Sequence, residues 1–309
     1  MQLSIVTTLY QSAPYLDEFL ERMGSSAQQI THDYEIILVN DGSPDQSLQK
    51  ALAAQAQDAH LKIIELSRNF GHHEAGMVGL EAALGNYVFL IDSDLEEAPE
   101  LILAFWQDMQ SNQELDVVYG VQEQRKGNWS EQLFGNLFYR IFNQLSSIKL
   151  VPNLLTVRLM KRAFVDAITQ YQERNLFVAG IMAHAGFNQQ AKVVTKKSKP
   201  HSTYTLGRQL KLFITCITSF SSKPLEYCFI VGCCIWFFLL LSSVYFGVQV
   251  LVFSVNPSTL QAITLATGFI TGSVLTCTGL LGLYVASMTT EIKQRPRAII
   301  KTIYSKLDQ

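Results

Sequence analysis

Short apolar runs alternate with stretches of mixed polarity along the first part of the chain. Leu3–Leu9 is apolar or β-branched apart from Ser4 and predicts a buried strand. Pro14–Met23 carries an early proline and apolar residues at Leu16, Phe19 and Leu20, and predicts a helix. Glu35–Val39 predicts a second strand, closed by the turn residues Asn40-Asp41-Gly42-Ser43-Pro44. A helix over Asp45–Ala59, a strand over Leu61–Leu66 and a helix over Glu74–Leu84 follow. Asn86–Ile91 predicts a fourth strand ending in Asp92-Ser93-Asp94, Pro99–Ser111 a helix, and Asp116–Gly120 a fifth strand. Strands apolar along their whole length, alternating with helices, predict a mainly parallel sheet covered on both faces. Ligands of such sheets bind beyond the carboxyl ends of the strands. That rule gathers Thr8–Tyr10, Asn40–Ser43, Arg68–Gly71 and Asp92–Asp94 around one crevice.

The pattern changes near the end. From Tyr227 to Thr290 there is no Asp, Glu, Lys, Arg or His. Two stretches, Tyr227–Phe253 and Leu260–Met288, are each long enough to cross a bilayer. The polar break Ser254–Ser258, with its Asn256-Pro257 turn signal, separates them. Basic residues precede the first span (Lys192, Lys196, Lys197, Lys199, Arg208, Lys211, Lys223) and follow the second (Lys293, Arg295, Arg297, Lys301, Lys306). The loop between the spans has none, so both flanks are expected in the cytoplasm of a multi-pass inner-membrane protein. The N-terminus lacks the basic start of a signal peptide. The expected organisation is a globular cytoplasmic domain over 1–205, an amphipathic juxtamembrane segment over 206–224, a transmembrane hairpin over 225–290 and a basic tail over 291–309. Gly268 and Gly272 have the spacing that lets membrane helices approach closely, which fits a homo-oligomer.

Composition adds mostly exclusions. A net charge of −2 gives no support for nucleic-acid binding. The five cysteines lie in or beside the apolar region without zinc-ligand spacing. There is no Walker lysine loop, no dinucleotide glycine fingerprint after the first strand, and no nucleophile elbow. What remains is acidic. Asp92 and Asp94 at a strand end, with Glu96 and Glu97 behind, suit a hard divalent cation, Mg²⁺ or Mn²⁺, that bridges phosphate oxygens. Asp41 is placed to accept hydrogen bonds from a nucleobase or ribose, and His72-His73 reads as a helix start beside the crevice.

Three strings, Val39-Asn40-Asp41-Gly42-Ser43, Leu66-Ser67-Arg68-Asn69-Phe70-Gly71 and Asp92-Ser93-Asp94-Leu95, closely resemble glycosyltransferase family 2. With the terminal spans and the closing Glu291-Ile292-Lys293-Gln294-Arg295-Pro296, the chain is similar to the polyprenyl-phosphate glycosyltransferases of that family. The resemblance implies a GT-A catalytic domain, a Rossmann-like α/β fold, ahead of a two-helix transmembrane hairpin. It implies inverting transfer of one sugar from a nucleotide-sugar donor, read as a uridine one, to a polyprenyl (undecaprenyl) phosphate acceptor at the membrane. On that pattern Thr8, Tyr10, Asp41, Arg68 and Asp92 bind the donor, and Asp94 with Glu96 holds the metal. Asp92, Asp94, Arg125 and Arg158 form the catalytic set, the two arginines facing phosphates.

The chain departs from the family in four places, one of them His201-Ser202-Thr203-Tyr204 in place of Ser-Lys-Tyr, where Lys199 or Arg208 is expected to replace the lysine. Thr8-Leu9-Tyr10-Gln11-Ser12 replaces Pro-x-Tyr-Asn-Glu, and Glu96 replaces a glutamine. Thr156 stands two residues before Arg158 where many members carry an aspartate. A transferase acting on a lipid-linked glycan, and a scaffold that keeps the fold without activity, are the alternatives these departures leave. Trp129–Ile148 and Leu206–Phe220 carry apolar stripes that fit either core packing or the membrane interface.

Overall fold

The computed structural model describes residues 1–122, 153–171, 178–195 and 259–305, with scattered positions from 223 to 248. The chain divides into two compact units, one of Met1–Arg140, Ile148–Thr205 and Gln294–Gln309, the other of Ile141–Ser147 and Leu206–Lys293.

The first unit is built on β1 (Leu3–Leu9), β2 (Tyr34–Asn40), β3 (Leu61–Leu66) and β4 (Tyr87–Leu90). Every residue of β1 and β2 is buried, so their Val, Ile and Leu content serves two covered faces at once. β1 pairs in parallel with β2 and β4, and β2 with β3. The connecting helices are α1 (Leu16–Gln28), α2 (Ser47–Gln57) and α3 (His72–Ala82), with α4 (Leu101–Ser111) after β4. On one face, Leu3, Ile5, Leu9, Ile36 and Phe89 form a core with Phe19 and Met23 of α1 and Phe105 of α4. Phe89 and Phe105 meet edge to face at 6.1 Å. Truncating either to alanine removes about 3–5 kcal/mol. On the other face α3 packs against β1 and β2, its Gly79 lying against Val6 and Val39.

The sheet is mainly parallel, as expected, but mixed: two of its strands run against the others. Its order adds β5 (Val117–Val121), β6 (Leu154–Lys161), β7 (Gln189–Val193) and β8 (Ile300–Tyr304), to give β7-β5-β6-β4-β1-β2-β3-β8. β6 inserts antiparallel between β4 and β5, and β8 runs antiparallel along β3. β5 therefore keeps the direction of β4 but lies one strand further out. Two short helices, α5 (Arg162–Thr169) and α6 (Val178–His184), separate β6 from β7. The segment expected as a basic tail carries β8.

The second unit contains α7 (Thr259–Ile292). At 1.5 Å per residue it is about 51 Å long. Among the described residues it is the one helix long and apolar enough to span a bilayer, over Phe269–Ala286, and none of that stretch is buried by protein. Every described position between Lys223 and Val248 is helical. The Cys228 thiol hydrogen-bonds that of Cys277 on α7. Most of the first expected span beyond Phe238 and the whole Ser254–Ser258 break lie outside the described residues. So do the apolar stripes at 129–148 and 206–220.

Candidate functional site

Because β1 to β4 run parallel in register, their carboxyl ends open at one end of the sheet, and four loops meet there. Serines and backbone amides tie them together. The Ser93 hydroxyl donates to the Thr8 carbonyl at 2.8 Å and lies 2.9 Å from Ser12 Oγ. The Ser12 amide donates to Ser47 Oγ at 3.0 Å, and the Gln11 amide to Ser43 Oγ at 2.8 Å. Asp45 collects the Ser43 hydroxyl, the Ser47 amide and the Ala13 amide. Burial alone would raise its pKa, but these hydrogen bonds outweigh it and hold Asp45 at about 2. The first two loops are thus locked as one anionic turn.

The loop after β3 is held from β2. Asp41, 2% exposed, accepts the Phe70 amide at 2.7 Å on Oδ1 and the Gly71 amide at 3.0 Å on Oδ2. Gly71 is the N-cap of α3; the Asp41 carboxylate holds the two amides just ahead of the helix and places there the negative charge that a helix start favours. Gly42 has φ +58°, and a Cβ there would lie 2.5 Å from the Asn69 nitrogen. Only glycine lets the second loop press this closely on the third. Arg68 is exposed, its guanidinium 3.9 Å above the Phe70 ring. Both oxygens of Asp41 thus serve the protein backbone, where the sequence reading assigned them to a nucleotide.

The acidic side is organised by a histidine. His72 Nδ1 is 2.9 Å from Thr8 Oγ1, and its Nε2 is 3.3 Å from Asp92 Oδ1. One imidazole at the start of α3 therefore joins the ends of β1 and β4. Asp94 Oδ1 accepts the Glu96 amide at 3.0 Å, which turns the chain back on itself. Leu95 between them has φ +58°, a left-handed conformation that costs a side-chain-bearing residue about 1–2 kcal/mol. His73 is accessible to solvent yet ringed by protein. That desolvation, with the charges of His72 and Arg158, keeps its pKa down at about 4.

The expected site residues fall into three groups. Thr8 and Asp92 come together at His72, Asp94 lies two residues on in the same turn, and Arg68 and Asp41 belong to the adjoining loops. Tyr10 stands at the rim, 49% exposed, and Glu96 is half-buried one turn beyond Asp94. Arg158 sits on β6, paired through Leu90 with β4, and is buried. Its guanidinium donates to the carbonyls of Thr156 (2.9 Å) and Leu155 (3.0 Å) and contacts Met182. Burial lowers its pKa to about 10 against the opposing pull of Glu97, Tyr119 and Asp92. It supplies positive charge from beneath the acidic turn and does not present a fork to solvent. Arg125, Lys199 and Arg208 lie outside the described residues. His72 was legible only as a helix start, since its partners are 64 and 20 residues away in sequence. Among the described residues no group of three or more His, Cys, Asp or Glu side chains forms a metal cage.

A family model described as Glycosyl transferase family 2 matches residues 4–169. A Mycobacterium tuberculosis protein named only at the level of glycosyltransferase is 41% identical over 98% of this chain and 89% of its own length. An undecaprenyl-phosphate 4-deoxy-4-formamido-L-arabinose transferase of Pseudomonas fluorescens is 28% identical over 97% of this chain and 89% of its own. Among solved structures, glucosyl-3-phosphoglycerate synthase from Mycobacterium tuberculosis, in complex with Mn²⁺, UDP-glucose and phosphoglyceric acid, aligns with a TM-score of 0.48 and 15% identity. That alignment covers 70% of this chain and 79% of the synthase.

Proposed function

The chain belongs to glycosyltransferase family 2, and from that premise we propose that it transfers one sugar from a UDP-sugar to a polyprenyl phosphate at the cytoplasmic face of a membrane. The observation that carries the proposal is the Asp92-Ser93-Asp94 turn, fixed at the end of β4 and joined to β1 and α3 through His72. In the reaction an oxygen of the acceptor phosphate attacks the anomeric carbon, the bond from that carbon to the nucleoside diphosphate breaks, and the configuration inverts. The nucleophile is already an anion, so no base has to remove a proton. Thr156, in place of a carboxylate, costs nothing on this reading. The work left to the protein is to position two anions and to stabilise the departing one.

The acidic turn offers Asp92, Asp94 and Glu96, all hard oxygen donors, which fits a Mg²⁺ or Mn²⁺ ion. When bound, the metal neutralises charge on the diphosphate leaving group. Arg158 balances the carboxylates from below. Thr8, Arg68 and Tyr10 line the donor side, and Asp41 holds the loop that carries Arg68.

The lipid acceptor is supported by the name of the Pseudomonas fluorescens relative, which aligns along nearly the whole chain, and by α7. An apolar helix with no protein cover in this unit belongs in lipid. The uncharged stretch before it supplies a second span of the hairpin, with basic flanks on the cytoplasmic side.

The test is transfer of radiolabelled sugar into the organic phase, from a panel of nucleotide sugars to undecaprenyl phosphate with Mg²⁺ or Mn²⁺. Label should enter the lipid from a UDP-sugar and be lost in Asp94→Asn. A protein that binds donor yet labels only a lipid-linked glycan would refute the acceptor. One that binds no donor would refute the enzymatic reading.

A further inference from the structure

The chain passes from α7 back into the first unit, and the residues that follow α7 dock beside the donor loop. β8 zips antiparallel onto β3, with Leu66 opposite Ile300 and Ile63 opposite Tyr304, so it starts at the loop end of β3. The Ser67 amide, first in the loop, donates to the Ile299 carbonyl at 2.9 Å. Glu65, almost fully buried, binds Lys301 at 2.6 Å and the Tyr304 hydroxyl at 3.0 Å. Just upstream, Arg297 is only 9% exposed and lies 3.4 Å from Glu81 on α3. Its charge also acts on Glu74, two helical turns away on the same face of α3. The Glu74 carboxylate in turn sits under Gly71: a Cβ on Gly71 would be 2.5 Å from Glu74 Oε2. The Arg297–Glu81 pair ties the segment after α7 to the last turn of α3, and Glu74 at the first turn of the same helix reaches back under Gly71.

We propose that the segment after the membrane helix is a positioning element of the donor site. Arg297, paired with Glu81, and β8, zipped to β3, fix α3 and the loop Ser67–Gly71. Those two features carry His72 and Arg68. Arg297 touches no reacting atom and acts through α3, as a positioning residue. Donor binding then depends on a part of the chain reached only through α7, which couples anchoring to activity. This rests on the donor site proposed above.

The experiment uses the full chain in detergent or nanodiscs and reads two things. One is exchange of the Phe70 and Gly71 amides by hydrogen–deuterium mass spectrometry, which needs no ligand. The other is affinity for UDP with Mn²⁺, together with donor and acceptor KM. Arg297→Ala should speed exchange of those amides and weaken UDP by about 2- to 30-fold, the range over which positioning contacts alter a distant site. Donor KM should rise in step while acceptor KM stays within about twofold, and Arg297→Lys should recover most of the loss. If Arg297→Ala fails to fold, Glu81→Gln and Arg297→Lys must show the same graded order in a milder form. Unchanged exchange overturns the brace. Faster exchange with unchanged UDP affinity overturns its link to the donor. A wild-type protein that binds no UDP refutes the donor site itself, a result distinct from either.

Discussion

Replacing Asp41 by asparagine separates two roles for a residue that sequence and structure read differently. The carboxylate makes two charge-assisted hydrogen bonds, to the Phe70 amide at 2.7 Å and the Gly71 amide at 3.0 Å. Each is worth about 1.5–3 kcal/mol. Asparagine keeps one oxygen and sets an N–H against the second amide. One bond is lost, and the survivor, now neutral, keeps roughly half its strength. The net cost is about 2–4 kcal/mol, felt first by the loop and the first turn of α3. At 1.4 kcal/mol per decade, the open loop becomes roughly 30- to 700-fold more populated. Hydrogen–deuterium exchange of the Ser67–Gly71 peptide should therefore accelerate strongly. Affinities for UDP, GDP, CDP and TDP should fall by one common factor, because the loop and not the base has been disturbed. The reasoning fails if exchange is unchanged while base preference shifts, for then Asp41 reads the nucleobase directly.

Other expectations follow from the same geometry. Gly42→Ala places a Cβ 2.5 Å from backbone at a positive φ; it should cost about 1–3 kcal/mol and lower both the melting temperature and nucleotide affinity, whereas Gly76→Ala, with no atom within 4 Å of its Cβ, should do neither. Asp45 is held at about 2 against an ordinary 3.8. Its folded pKa is depressed, so its contribution is complete above 3.8 and disappears as pH falls towards 2. Exchange at the Ser43–Ser47 amides should rise across that window, and Asp45→Asn should abolish the pH dependence. Oxidation with copper phenanthroline should join Cys228 to Cys277, whose thiols meet; proteolytic fragments that stay separate on a non-reducing gel would show the two helical segments apart.

The parallel half of the sheet was legible because its strands are buried on both faces. Leu3–Leu9 and Tyr34–Asn40 have no solvent side to impose alternation, and a turn residue closes each run. β6 was not legible as a strand. Its burial alternates at one end and is continuous at the other, and its place beside β4 depends on pairings across more than sixty residues, which a local pattern does not encode. β8 was hidden by composition: Ile300-Lys301-Thr302-Ile303-Tyr304 follows several basic residues and resembles a cytoplasmic flank. At the site, Thr8, Asp92 and Asp94 could be gathered from the sequence because strand ends of one parallel sheet must meet. The approach of His72 to Asp92 could not, since it depends on where α3 begins. Arg158 was identified as a charge near the site, but its burial under main-chain carbonyls follows from the insertion of β6.

The edge strand β8 also sets a timetable for biosynthesis. Glu65 and its partner Lys301 are 236 residues apart. At about 5–20 residues per second, a ribosome needs roughly 12–47 s to make that interval. Throughout that time β3 presents an unpaired edge, the form of surface most prone to pairing with another chain. The strand that covers it is made only after the apolar stretch has been made. A nascent chain therefore completes its sheet after its apolar segment has been synthesised, and a chain cut short within that segment never does. Such truncated products should be recognised by chaperones and proteases as unfinished.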